Sequence, residues 1–351
     1  MKIALMTIWR EKNFGAEMQC YATVRALQLL DYEVKVIDYR LSDIPNPTLK
    51  QKIIRKIISI SPETKSFETF WSRYIPATRH YKNLEDLEND PPEAEIYLAG
   101  SDQIWNLNIT KDKWKAFFLD FGKSVTKKIS YASSFGESKW EWPNKKTEAK
   151  ILLDKFIKLA VREKSGQSIL KNEFQLPAEL VIDPTLLHED YKDLIGEPET
   201  KPILAYYPLG KIPGFEDFIY KVAQDLQLKP VNINYTKKLF GKITWERTTL
   251  LEWLETISSA SLVITPSFHG LAFSLIYNRQ FIIIQNQEGK GRSSRMTNLL
   301  ETLGLSDRYF ENVKTADNSK IWTKPIDFKP VNKILKDLRN KSWDYLKDNL
   351  K

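Results

Sequence analysis

Short apolar runs alternate with stretches of helical spacing along most of the chain. Lys2–Trp9 reads as a buried strand, and Ala16–Leu30 has helical apolar spacing through Met18, Tyr21, Ala22, Val24, Leu27 and Leu30. Glu33–Tyr39 reads as the next strand. Strand, loop, helix and strand in that order make the βαβ unit of a parallel sheet. Further strands are expected at Glu95–Ala99, Lys128–Ser133, Lys158–Arg162 and Glu179–Asp183, each ending in small, polar or charged residues. Such residues suit the carboxyl edge of a parallel sheet, where ligands bind. The pattern lapses between Pro184 and Pro202, as an inter-domain connection would. It resumes with strands at Ile203–Tyr207, Pro230–Asn234, Ser261–Thr265 and Phe281–Gln285. Between and after them come helices at Phe215–Leu226, Thr249–Ser258, His269–Asn278 and Ser293–Leu303, then an amphipathic helix over Val331–Leu350. The expected fold is α/β, with two Rossmann-like doubly wound domains, 1–190 and 200–330, facing across a cleft, and a helix at 331–351.

The run Ile264-Thr265-Pro266-Ser267-Phe268-His269-Gly270 joins a strand end to a helix start. Backbone N–H groups in a helix's first turn favour an anion. Gly270 would let a ligand approach the backbone, and His269 can exchange a proton near neutral pH. A packed histidine at a strand–helix corner is the alternative. Arg162, ending the strand before the helix Glu163–Lys171, and Arg295, near the start of a later helix, could each hold a carboxylate or phosphate through a bidentate fork. A salt bridge is the alternative for either. Lys290 and Arg292, in a Gly- and Ser-rich basic loop, are weaker candidates. The first βα turn, Arg10–Glu17, is neither GxGxxG nor a Walker loop. Its Asn13, Gly15 and Glu17 are candidates for the acceptor site; as structure alone, Asn13 and Gly15 suit a tight turn and Glu17 the positive end of a helix. Ser101, Asp102, Gln103 and Trp105 gather hydrogen-bonding groups beside an indole, which fits the polar edges and apolar face of a sugar, or else a buried tryptophan.

Composition narrows the classes. The chain has 351 residues, 42% of them hydrophobic and 28% charged, as a globular protein has. Its single cysteine, Cys20, excludes an internal disulfide and a Cys-rich zinc site, and no metal cluster is evident. A formal charge of +8 suits an anionic ligand or membrane surface and is too diffuse for a nucleic-acid binder. No apolar run approaches the roughly 18 residues that span a bilayer. The apolar opening is followed at once by Arg10, Glu11 and Lys12, unlike a signal peptide, so the cytoplasm is the expected location. Lys50–Ile60 places Lys50, Lys52, Arg55 and Lys56 beside five isoleucines. Such a segment can lie on an anionic membrane surface, or be a helix with a core face and a solvated basic face.

Taken in order, several blocks resemble the polysaccharide pyruvyl transferase family. They are Asn13-Phe14-Gly15-Ala16-Glu17, Val36-Ile37-Asp38-Tyr39, Ala99–Asn106, Tyr131–Gly136, Val161-Arg162-Glu163, Asp183–Leu187, Ser267–Gly270, and Ser294-Arg295-Met296 running into Leu299–Leu305. The resemblance covers residues 1 to about 310. It implies a GT-B-like fold and transfer of pyruvate from phosphoenolpyruvate, a substrate rather than a cofactor, onto a sugar, usually as a cyclic ketal. The acceptor would be a cell-surface polysaccharide or, as the Lys50–Ile60 segment suggests, its lipid-linked precursor. The resemblance gives His269 the catalytic or donor-contacting role and Arg162 a donor contact, with Ser267 and Phe268 lining that pocket. Two positions depart from the family pattern. Ser267 stands where many members carry arginine, so that charge would be either missing or supplied by Arg295 or Lys290. Ala16 stands where some carry aspartate, so Glu17 or Asp102 would supply a carboxylate. The other readings are a GT-B glycosyltransferase using a nucleotide sugar, and a non-catalytic glycan- or anion-binding protein.

Overall fold

The computed structural model describes residues 1–43, 47–239, 241, 243–286 and 294–351. The chain divides into two compact units. One comprises Met1–Pro45, Phe70–Leu187 and Asp337–Lys351; the other comprises Asn46–Thr69 and His188–Lys336.

In the first unit, β1 (Lys2–Met6), β2 (Glu33–Tyr39), β3 (Ala77–Tyr81), β4 (Ile96–Ala99) and β5 (Lys127–Ser130) form a parallel sheet of order β3-β2-β1-β4-β5. Central β1 sets Ile3 opposite both Val34 and Ile96. Ile3, Ala4, Leu5 and Met6 are all buried, because a parallel sheet is covered on both faces. The strand expected to reach Trp9 stops at Met6; beyond it the Trp9 indole donates to the Ile37 carbonyl at 2.9 Å and Arg10 adopts φ +59°. β3 is unheralded in the sequence, since an edge strand is half-exposed and Ala-Thr-Arg-His-Tyr has no apolar alternation. The strands expected at 158–162 and 179–183 shrink to β6 (Ala160–Val161) and β7 (Glu179–Leu180), which pair with each other. Arg162 and Asp183, at their ends, leave the ladder to meet as an ion pair.

The second unit holds β8 (Lys201–Tyr206), β9 (Lys229–Asn232), the antiparallel hairpin β10 (Thr236–Leu239) and β11 (Ile243–Arg247), then β12 (Ala260–Thr265), β13 (Gln280–Ile284) and β14 (Tyr309–Phe310). Its parallel sheet runs β14-β13-β12-β8-β9. Leu204, Leu262, Ile264 and Ile282 pack on Phe218 and Trp322 to make one face of its core. The hairpin, with the polar sequences TKKL and ITWER, gives no apolar signal and is not foreseen. The amphipathic pattern near the end is a helix over Phe328–Asn349. Two parallel α/β sheets therefore carry the doubly wound class expected from the sequence.

Candidate functional site

Strand order reverses between β12 and β8 in the second unit, and a doubly wound sheet binds ligands beyond the carboxyl ends of the strands at such a switch point. Thr265 ends β12; its Oγ1 donates to the Tyr207 carbonyl just past β8 at 3.3 Å and accepts from the Ser267 N–H at 3.0 Å. Ser267 is the N-cap of the helix Phe268–Ile276, its Oγ accepting from the Gly270 N–H at 3.2 Å. Every residue of that helix is buried, so its N-terminus is held by the core rather than by solvent. Phe268 and His269 stand edge to face with ring centroids 5.3 Å apart, and the Arg295 guanidinium lies 5.4 Å from the Phe268 ring centre. Thus Ser267, Phe268, His269, Gly270 and Arg295 share one corner of the fold. The close approach at Gly270 comes from the protein itself. A Cβ there would stand 2.8 Å from Thr265 Cγ2, so the helix–strand contact needs a glycine here. Lys290 and Arg292 lie outside the described residues.

The switch point of the first unit lies between β1 and β4. Asn13 is the N-cap of the helix Phe14–Gln28, its Oδ1 accepting from Gly15 and Ala16 N–H at 3.0 and 3.2 Å. The turn before it carries two left-handed non-glycine residues, Arg10 (φ +59°) and Lys12 (φ +52°), a costly conformation that surrounding contacts must impose. Glu17 imposes it. Its carboxylate, fully buried, accepts from the backbone N–H of Arg10 and Glu11 at 3.3 and 3.2 Å and from the Trp71 indole at 2.7 Å. The Arg10 guanidinium then rests 4.6 Å over Trp9 and 5.1 Å from Trp71, and 3.7 Å from Asp38. Sequence reasoning missed this cation. Its place directly after the expected strand Lys2–Trp9 was a usable signal; Trp71, 54 residues from Glu17, gave none.

Burial pushes the Glu17 carboxyl up from 4.5 to about 7, against the pull of the Trp71 indole and the backbone N–H groups of Arg10, Glu11 and Lys12. The folded state therefore holds this proton more tightly than the unfolded chain does. Its contribution to stability is full below about pH 4.5 and is lost as pH rises through about 7, a change of about 3 kcal/mol. The stability difference between the unmodified chain and Glu17→Gln, followed by urea unfolding, should fall by that amount between pH 4.5 and 7. A difference independent of pH would assign Glu17 no such titration.

Beyond β4, Ser101 is buried. Its Oγ donates to Asp183 Oδ2 and accepts from Arg162, both at 3.1 Å. Arg162 has a side chain only 1% exposed, with its fork on Asp183 Oδ2 at 2.6 Å and Asp102 Oδ1 at 3.1 Å, and Glu163 3.7 Å from Nε. Burial works against the guanidinium's charge, but Asp183, Asp102 and Glu163 outweigh it and hold its pKa above the ordinary arginine value. The planar edge of Arg162 faces Asp183 and Asp102, carboxylates of its own unit. Asp102, by contrast, is 17% exposed and left-handed (φ +71°), fixed by the Ser134 N–H donating to its carbonyl at 3.0 Å. Gln103 accepts from the Asn106 amide at 3.1 Å. Trp105 is a core residue, its indole donating to the Phe117 carbonyl at 3.3 Å and its ring wedged among Phe118, Phe135 and Phe156, so it offers no face to a sugar. Among the described residues, no group of three or more His, Cys, Asp and Glu is arranged to hold a metal ion.

The family model described as polysaccharide pyruvyl transferase matches residues 13–288. Comparison with curated protein sequences finds no match. Among solved structures, the chain is similar to UDP-N-acetylglucosamine 2-epimerase of Methanocaldococcus jannaschii, solved with UDP-GlcNAc and UDP. The TM-score is 0.53 at 11% identity, covering 96% of this chain and 99% of that one. The spinosyn forosaminyltransferase SpnP matches with TM-score 0.44 and 10% identity over 98% of this chain and 95% of its own. An alpha-glucosyltransferase in complex with UDP matches with TM-score 0.41 and 10% identity over 99% and 95%. At 11% identity the likeness to the epimerase is one of fold, and the fold is GT-B-like.

Proposed function

We propose a pyruvyl transfer for this chain, which belongs to the polysaccharide pyruvyl transferase family: phosphoenolpyruvate gives its three-carbon unit to a pair of sugar hydroxyls on a cell-surface glycan or its precursor. The observation that carries this reading is the corner at the second unit's switch point, where a buried helix N-terminus, His269 and Arg295 stand together. Phosphoenolpyruvate carries a carboxylate and a phosphate, and oriented N–H donors with a fixed guanidinium suit both. A proton added to its methylene carbon makes C2 electron-poor. A sugar hydroxyl attacks C2 and yields its own proton to a base; phosphate leaves, and the second hydroxyl closes the ketal, losing its proton in turn. His269 moves a proton or steadies the departing phosphate.

The test is ligand-dependent stabilisation followed by turnover. Phosphoenolpyruvate should raise the melting temperature by mass action, and nucleotide sugars should not. Incubation with phosphoenolpyruvate and a panel of galactose- or mannose-type acceptors should release phosphate only when an acceptor is present, with a pyruvate-sized mass gain on that acceptor. A shift with a nucleotide sugar and none with phosphoenolpyruvate would overturn the reading. Ligand binding without phosphate release under any acceptor would leave only a binding protein.

A further inference from the structure

The helix Leu49–Ser59 of the second unit carries apolar side chains that its own unit leaves uncovered. None of its residues is buried; Leu49 is 75% exposed, Ile53 53%, and Ile60 at the C-cap 57%. At about 100° per residue, positions 49, 53 and 60 fall on one stripe, with 52 and 56 along one flank and 50 along the other. Those flanking positions are Lys50, Lys52 and Lys56, all exposed. Between Pro47 and Pro62 there is no acidic residue. Ile54 and Ile58 fall on the opposite side and are half-buried, and the helix packs against β11. The neighbouring strand β10 adds exposed Lys238 to the same unit. A capping box fixes the first turn, Thr48 Oγ1 accepting from the Gln51 N–H and Gln51 Oε1 from the Thr48 N–H. The helix is therefore formed before anything docks on it, and docking carries little ordering cost.

We propose that this face rests on an anionic lipid bilayer, with Leu49, Ile53 and Ile60 entering the boundary between headgroups and acyl chains. Lys50, Lys52 and Lys56 then meet the lipid phosphates. A narrow apolar stripe bordered by cations is the arrangement that lies in a membrane interface. A second copy of the chain fits it poorly, because self-association through the stripe would bring like-charged lysine rows together. Among the described residues no helix is long and apolar enough to cross a membrane. The proposal is independent of the pyruvyl-transfer reading.

Flotation of the full chain with two vesicle types tests it: phosphatidylcholine alone, and phosphatidylcholine with about a third phosphatidylglycerol. Partitioning should be at least about tenfold stronger on the anionic vesicles and should fall as salt is raised, because surface attraction is screened. Lys50→Glu/Lys52→Glu/Lys56→Glu should remove the preference. Ile53→Ser/Ile60→Ser should weaken binding to the same vesicles while melting temperature and helical content stay unchanged. The glutamine triple variant at the three lysines, which only removes charge, covers the case in which charge reversal disturbs folding; it too should lose the preference. Equal partitioning on both vesicle types, or unchanged partitioning of the lysine variants, would overturn the proposal. So would self-association in sedimentation velocity that vanishes in Ile53→Ser/Ile60→Ser without any vesicle binding.

Discussion

Replacing His269 by alanine should lower turnover with phosphoenolpyruvate by about 10²–10⁴-fold, the range that loss of a general acid or base produces. The imidazole sits at the second position of a helix whose whole length is buried, between the Ser267 cap and the Gly270 contact with Thr265. Its removal leaves the Ser267 cap in place but empties part of a buried site, so turnover is compared well below each variant's own melting temperature. His269→Gln keeps volume and hydrogen bonding but cannot move a proton near neutral pH, and should show the same loss. The measurement is acceptor-dependent phosphate release, with kcat and KM separated. A fall confined to kcat assigns the ring to the transition state, whereas a rise in KM alone would make it a binding residue. Near-normal release by both variants would remove His269 from the chemistry.

Replacing Arg162 by methionine should cost about 3–5 kcal/mol of stability, because it leaves buried carboxylates without their cation. Asp183 is wholly buried and Glu163 nearly so, and both stand on the guanidinium. Asp183 also accepts from the Thr185 N–H and hydroxyl at 3.0 and 2.7 Å, which ties the Arg162 cluster to the buried turn Pro184–Leu187. A unit of this size loses about 2–4 °C of melting temperature per kcal/mol, so the transition of the first unit should move by about 10 °C. Asp183→Asn added to Arg162→Met should recover part of the loss, since it removes one of the stranded charges. If Arg162→Met melted with the unmodified chain yet bound phosphoenolpyruvate far more weakly, the guanidinium would be a donor contact after all.

What could be read along the chain was whatever neighbouring residues decide together. The alternation of apolar runs with helical spacing fixed the two parallel α/β sheets, because strand and helix periodicity is a relation among residues two to four apart. The residues at strand ends, Ser101-Asp102 after β4 and Ser267-Phe268-His269 after β12, announced themselves by interrupting those runs. They sit at the switch points that the strand orders then define. The ordered blocks were enough for the family.

Which of those residues face outward was decided only by partners distant in the sequence. Arg162 looks like an anion ligand until Asp183 and Asp102, 21 and 60 residues away, fill its fork. Glu17 looks like a dipole partner until Trp71 closes over it, and Trp105 like a sugar platform until three phenylalanines surround it. In the same way the basic isoleucine segment became an exposed helix face only when its unit folded and left Leu49, Ile53 and Ile60 more than half exposed. Burial, ion pairing and exposure depend on which surfaces meet, and a linear pattern of polarity carries the tendency of each residue without naming what it will meet.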